Sequence, residues 1–533
     1  MKKSVIRPFF ALILISAFSA AIFAQTAPPS GSPVEKHGQL KVVGNQVLDK
    51  NDEPVQLRGM SLYWSFGPGS PAAGTFYNAD VVKYLRDDWG ASLVRAAMGV
   101  EERWNATQAG YLNGDNSAGV SNKTRVTDLV DGAIEHGMYA IIDWHSHKAD
   151  SLTQAAVDFF KEMAEKYKDY PNVIYEIFNE PTTQAWATRI KPYSQAVVDA
   201  IRAIDPNNLI LIGTRQWCQL PAEAAANPVD GENLAYVMHF YAATHKNDLR
   251  NNTFRALRLN KAIFVSEFGT VTADGKGAYD EASSDIWMDF LDQFNLSWAN
   301  WSLSAINETA SALKPSGTSA TPGVNGASWD NQLAASGAYI RNRLKTPRKT
   351  EQSFYTLTVD VEGSGNVYQG TTGTTNPNQV FYKGTKDTTL TLRAAPAQGD
   401  WTFTGWQVNG ENKGNEATIQ VTVGGSADVA VTATFYSPTT SVFPVASAAK
   451  ATPWSIKMVS GGIVLRGPVS GPAEIAFYDM RGKQVGKFLR SAGASGQSIT
   501  INNFKVPAGN YIMAVKDRVS NKEVYRTKIS LVK

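Results

Sequence analysis

Apolar residues in the first two thirds of the chain fall into short, nearly unbroken runs, at residues 55–61, 92–97, 139–143, 173–178, 209–212, 235–240, 262–266 and 297–301. Runs of Val, Ile, Leu and Phe without alternation suit strands covered on both faces, as in a parallel sheet. Amphipathic stretches with helical spacing lie between them, among them 78–88, 126–136, 152–167 and 193–204. This alternation over about 300 residues predicts an α/β fold, a (β/α)8 barrel at residues 35–345, with its chemistry on the loops that follow the strands. A doubly wound sheet is the other arrangement of such units, but no Gly-rich dinucleotide loop is present. A hairpin pattern over 38–47 is placed to close the bottom of the barrel.

The texture changes near residue 350. Period-2 alternation broken by Gly and Asn, at 355–367, 388–394, 418–423 and 430–435, predicts a small all-β module at 353–436. Its Trp401 and Trp406 suit core packing, with stacking on a sugar as the other use. Residues 437–453, rich in Ser, Thr, Ala and Pro, read as a linker. Alternation resumes over 454–533 and predicts a small β-sandwich. At the other end, Lys2, Lys3 and Arg7 precede an apolar run and small residues up to Ala24, so residues 1–24 read as a secretory signal peptide and the mature protein as secreted. No later run is long and apolar enough for a membrane span.

Two of the runs end alike. Val173 to Phe178 leads into Asn179-Glu180-Pro181, and Ala262 to Ser266 leads into Glu267-Phe268-Gly269. Proline cannot donate to a ladder, so the first strand should stop near Glu180 and leave a carboxylate at its C-terminal lip. One such carboxylate is an ordinary surface group. Two on one barrel face suggest an acid and a nucleophile. The pattern gives the pair and not the roles, since the acid is the member whose surroundings raise its pKa relative to its partner.

Charge narrows the partner. The formal net charge of +3 comes from Lys2, Lys3 and Arg7, without which Lys+Arg falls from 51 to 48, equal to the 48 Asp+Glu. A balanced chain without basic runs offers no footprint for nucleic acid, so a neutral polymer is the easier partner. The 13 Trp and 20 Tyr supply planes on which sugar rings can pack. Cys218 stands alone and reads as a buried thiol. Asp143, His145, His147 and Asp150 cluster in sequence, but their spacing fits no closed zinc pattern, and neither a metal nor a cofactor is expected.

The Asn179-Glu180-Pro181 and Ser266-Glu267-Phe268-Gly269 strand ends, in this order, resemble the retaining glycoside hydrolases of family 5, and most closely the endo-β-1,4-glucanase (cellulase) branch. The resemblance implies Glu180 as acid/base and Glu267 as nucleophile. It further implies that Arg95 keeps the nucleophile ionised, Asn179 donates to the sugar 2-hydroxyl, and Tyr241 hydrogen-bonds the nucleophile. His145 and His239 would bind sugar and tune the carboxylates. Trp301 would be a stacking floor on the non-reducing side, with Trp64 a second platform. Glu308 is kept, but Ile306 stands where this branch usually carries lysine, which removes one contact to a distal glucose. The expected substrate is cellulose or mixed-linkage β-glucan. The alternatives are a β-mannanase, xylanase or xyloglucanase on the same barrel, or a non-catalytic surface carbohydrate-binding protein, against which the acid pair argues. Residues 353–436 resemble the divergent internalin-like B-repeat, a β-grasp domain. Residues 454–533 resemble the C-terminal sorting domain of type IX secretion, implying contact with secretion machinery. The chain is expected to be a monomer.

Overall fold

The computed structural model describes residues 27–66, 76–101, 110–113, 120–315, 328–370, 375–437 and strands between 455 and 531. The expected signal peptide and nearly all of the linker lie outside the described residues, as do the 479–483 turn and residues 506–508 of the sorting-domain resemblance.

A hairpin of β1 (Lys41–Val43) and β2 (Gln46–Leu48) precedes eight parallel strands. These are β3 (Arg58–Leu62), β4 (Leu93–Gly99), β5 (Tyr139–His145), β6 (Val173–Glu176), β7 (Ile210–Ile212), β8 (Leu234–Tyr241), β9 (Ile263–Gly269) and β10 (Trp298–Leu303). They pair in sequence order, and β10 pairs back with β3 to close the barrel. All eight coincide with predicted runs, because uninterrupted apolar sequence is what a strand buried on both faces requires. Three edges differ. β6 stops at Glu176 rather than reaching 178, although the Ile177 amide still donates to the Leu211 carbonyl at 3.1 Å. β5 and β9 run longer than predicted, so His145 and Glu267 sit on strands.

The barrel interior is packed. Leu57, Leu93, Tyr139, Ile141, Ile174, Leu211, Val237 and Phe264 form one buried cluster with Leu40 and Val47 from the hairpin segment, which therefore stoppers the N-terminal end as predicted. β3 and β4 approach so closely that a Cβ on Gly59 would lie 1.8 Å from the Leu93 carbonyl oxygen, so only glycine fits there. Helices pack around the outside. The helix Asn122–His136 starts where Ser121 accepts from the Thr124 amide at 2.9 Å and ends on Gly137 in the left-handed region, the usual chemistry of the two helix ends.

Residues 354–436 form a five-stranded and a three-stranded sheet, with Phe354–Glu362 parallel to Val429–Tyr436. Among the described residues of this segment there is no helix. Trp406 is buried and donates its indole N–H to the Glu416 carbonyl at 2.8 Å, which makes it core. This module is docked on the barrel: Phe354 and Val380 belong to the barrel's own hydrophobic cluster. Gln293 accepts from the Phe354 amide at 2.7 Å and Asn251 from the Val380 amide at 2.8 Å. The C-terminal unit is separate and consists of a three-stranded and a four-stranded antiparallel sheet, with Ile475, Phe477, Met513 and Val515 buried. Among the described residues no helix is long and apolar enough to cross a membrane.

Candidate active site

The C-terminal ends of the strands bring the predicted side chains together around Arg95. Arginine in the middle of β4 is fully buried, which is tolerable only with carboxylates around it. Three are present: Glu176 at 2.7 Å from Nε, Asp143 at 2.9 Å from Nη2, and Glu267 at 2.9 Å from Nη1. Burial works against the guanidinium charge, but Asp143, Glu176 and Glu267 more than offset it and raise its pKa.

Glu267 leaves β9 with both oxygens held, Oε2 by Arg95 and Oε1 by the Tyr241 hydroxyl at 2.9 Å. Both donors fix the position of the carboxylate in the site. Asn179 accepts from Arg95 Nη2 at 2.7 Å through its side-chain oxygen. Among the described residues the amide nitrogen of this buried side chain has no hydrogen-bond partner, so it can donate to an incoming oxygen.

Glu180 follows on a short loop whose backbone is fixed by bonds from its own amide to the Ser146 carbonyl and from the Asn179 amide to the Trp144 carbonyl. Its carboxylate meets His239 Nδ1 at 3.0 Å and His147 Nε2 at 3.1 Å. Burial pushes the Glu180 carboxyl up, but the hydrogen bonds from the two imidazoles outweigh it and hold the group well below the usual carboxylate range. This differs from the raised pKa that sequence reasoning expects of the acid. The reason is that two rings face one carboxylate. One oxygen each of Glu180 and Glu267, with one ring nitrogen of His239, lie within 4.8 Å of one another.

His145 hydrogen-bonds Asp143 at 2.7 Å, and burial depresses its pKa to about 3, leaving a neutral ring. Its ring lies nearly parallel to Trp301, with centroids 5.4 Å apart, and meets Trp64 edge-on at 4.8 Å. The three form one aromatic wall beside the carboxylates, on which Trp64 is only half-buried. Ile306 packs on the cluster that holds Trp301. Glu308 stands near Gly275, where an added Cβ would lie 3.4 Å from its Oε2. The four residues of the metal alternative do not converge on one point: Asp143 is engaged with Arg95 and His145, His147 faces Glu180, and Asp150 pairs with Arg189.

Sequence reasoning missed four participants. Glu176 and Ser266 lie within apolar runs, and a charged residue inside a buried strand is the signal that could have found Glu176. His147 was weighed only as a metal ligand. Trp217 is 45% exposed beside the acid loop, in a left-handed turn over Gln216, Trp217 and Cys218 whose Gln216 and Trp217 amides bond the Thr182 and Pro181 carbonyls.

Residues 48–307 match the family model described as Cellulase (glycosyl hydrolase family 5). An endoglucanase of Clostridium saccharobutylicum is 42% identical over 321 residues, 59% of this chain and 67% of the relative. The chain belongs to the cellulase family of glycosyl hydrolases, family 5. Endoglucanase Z of Dickeya dadantii is 47% identical over 276 residues, which are 52% of this chain and 62% of that family member. The chain thus spans between 62% and 67% of the length of these two curated relatives. Among solved family 5 structures, the catalytic domain of Thermobifida fusca endoglucanase Cel5A is 34% identical with a TM-score of 0.53, covering 59% of this chain and all of that one. A structure from Cytophaga hutchinsonii is 44% identical with a TM-score of 0.54, covering 59% of this chain and 96% of that one.

Proposed function

We propose that the chain is a secreted endo-β-1,4-glucanase that hydrolyses internal bonds of cellulose or mixed-linkage β-glucan with retention of configuration. One observation carries the mechanism: Glu180 and Glu267 present oxygens within 4.8 Å of each other. That is the close spacing of a retaining pair, roughly 5 Å, and leaves no room for the water that separates the carboxyls of an inverting pair. Glu267, oriented by Arg95 and Tyr241, attacks the anomeric carbon. Glu180 protonates the leaving oxygen and then activates water against the glycosyl ester. The free amide N–H of Asn179 supports a bond to the 2-hydroxyl that strengthens in the transition state. The His145–Trp301 wall supports stacking of a glucose ring. The names of the relatives support a glucan over mannan or xylan, and the N-terminal pattern supports export.

The test is reducing-end release from carboxymethylcellulose, mixed-linkage glucan, galactomannan and xylan, with wild type and Glu267→Gln side by side. The expected result is fastest cleavage of the two glucans and loss of turnover in the folded variant by about 10,000-fold or more, as for removal of a covalent nucleophile. Preference for mannan or xylan would sink the substrate reading and near-normal hydrolysis by the variant the mechanism. Silence of wild type on all four would favour a binding protein.

A further inference from the structure

The acid and nucleophile sides of the site are joined beneath the substrate face by a buried path that the reaction scheme above does not use. Glu180 Oε1 meets His239 Nδ1 at 3.0 Å, and His239 Nε2 meets Ser266 Oγ at 3.0 Å. The Ser266 hydroxyl donates to Glu176 Oε1 at 2.6 Å, and Glu176 is gripped by Arg95, which also holds Glu267. His239, Ser266, Glu176 and Arg95 are all at least nine-tenths buried.

The direction of each hydrogen bond on this path follows from the number of protons available. Burial pushes the Glu176 carboxyl up, but Arg95 and His239 hold it down to about 2, so it is ionised and can only accept. The single hydroxyl proton of Ser266 must therefore point to Glu176. Its oxygen then has only lone pairs left for His239, so Nε2 must carry a proton. The nitrogen facing Glu180, Nδ1, is the one whose proton can come and go. A His239 ring without this anchor could adopt either tautomer.

We propose that Ser266 and Glu176 are positioning residues that lock His239 with its proton on Nε2, so that Nδ1 serves as the proton reservoir of Glu180. This rests on the retaining reading above. In the transfer the Nδ1–H bond breaks and an O–H bond forms on Glu180, leaving a neutral imidazole and a neutral carboxylic acid able to protonate the leaving oxygen. After glycosylation, the Glu180 carboxylate takes a proton from the attacking water and returns it to Nδ1, so the cycle closes without a net change.

The surroundings of His239 agree. Glu176, Glu180 and Glu267 are the carboxylates nearest it, with Asp143 behind, while Arg95 lies beyond Glu176 and His147 beyond Glu180. Burial opposes the imidazolium, but Glu176 at 3.7 Å from Nε2, the hydrogen bond to Glu180 and the charge of Glu267 push its pKa up to about 9. The pair thus keeps its proton below about pH 9 and loses it above, which sets the alkaline limb of kcat/KM. Removing the Glu176 charge removes support for the imidazolium, so the limb moves to lower pH.

The experiment compares wild type, Ser266→Ala and Glu176→Gln in kcat/KM from pH 5 to 10, on soluble mixed-linkage glucan and on a dinitrophenyl cellobioside, whose leaving group needs no proton. The expected result is an alkaline limb at least one pH unit lower on the glucan in Glu176→Gln, with tenfold or greater loss at pH 8 relative to pH 6, and a much smaller change on the activated glycoside. Ser266→Ala is the small buried change that keeps the test open where Glu176→Gln fails to fold. The 15N signals of His239, read without substrate, should show Nε2–H at all pH values in wild type and mixed tautomers at high pH in Ser266→Ala. Limbs that coincide with wild type, or equal losses on both substrates at every pH, overturn the proposal. A wild type silent on every glucan sinks the endoglucanase reading instead, and the 15N signals then still decide the tautomer.

Discussion

The mouth of the barrel and its flank each bury an arginine, and they do so in opposite ways. At the mouth Arg95 has Asp143, Glu176 and Glu267 within 2.9 Å. On the flank Arg250, in the helix Asn247–Arg258, is 6% exposed and has no ion pair among the described residues. Its Nε and Nη1 lack hydrogen-bond partners, and its guanidinium lies 4.8 Å from the Trp287 ring and 5.9 Å from that of Phe354. Burial alone lowers its pKa to about 10, whereas the carboxylates raise that of Arg95. The same side chain is an electrostatic hub in one place and a flat cation clamped by rings in the other. Carboxylates surround the arginine at the mouth, whereas the one at the joint with the β module is met by aromatic rings.

Substitution can break this contrast. Arg95→Met strands three buried carboxylates, and the expected result is a loss of about 3–5 kcal/mol in urea unfolding together with loss of turnover. Unchanged stability would mean that the carboxylates can be neutralised without their arginine. Phe354→Ala removes the ring that carries the module into the barrel core, at an expected cost of about 3 kcal/mol. Glucan hydrolysis at low temperature should persist, because no active-site contact is touched; loss of activity without unfolding would tie the module to the mouth. The smallest effect is expected of Arg250→Met, which exchanges an unpaired buried cation for an apolar chain. Stability should stay level or rise by up to about 2 kcal/mol. A fall of that size would show that the rings do more for this cation than fill space.

Most of the barrel was legible because buried parallel strands announce themselves as apolar runs, and Glu180 and Glu267 stood out because each follows such a run. Glu176 was hidden for the converse reason: inside Val173 to Phe178 it looks like an interruption, and only the arrival of Arg95 from another strand gives it a partner. The depressed pKa of Glu180 was illegible because His147 comes from the loop after β5 and His239 from β8. Trp217 depends on a left-handed turn made of residues that do not favour one, so no local propensity reports it. That the module docks on the barrel was not legible, because Phe354 and Val380 are apolar residues that could equally belong to the module's own core. Alternation says that a face is covered and does not say by what.

That docking also bears on how such a protein can be recombined. A splice near residue 350, where the sequence texture changes, would join this barrel to a foreign β module while keeping Gln293, Asn251 and Asp289 on the barrel side. In the native pairing Gln293 bonds the Phe354 backbone, Asn251 the Val380 amide, and Asp289 the Tyr382 hydroxyl at 3.0 Å. A new neighbour lacking those groups in register would leave the Gln293 and Asn251 side chains facing an apolar seam, with Asp289 still paired to Lys349. A splice between the two compact units, 1–438 and 439–533, would keep all of these bonds.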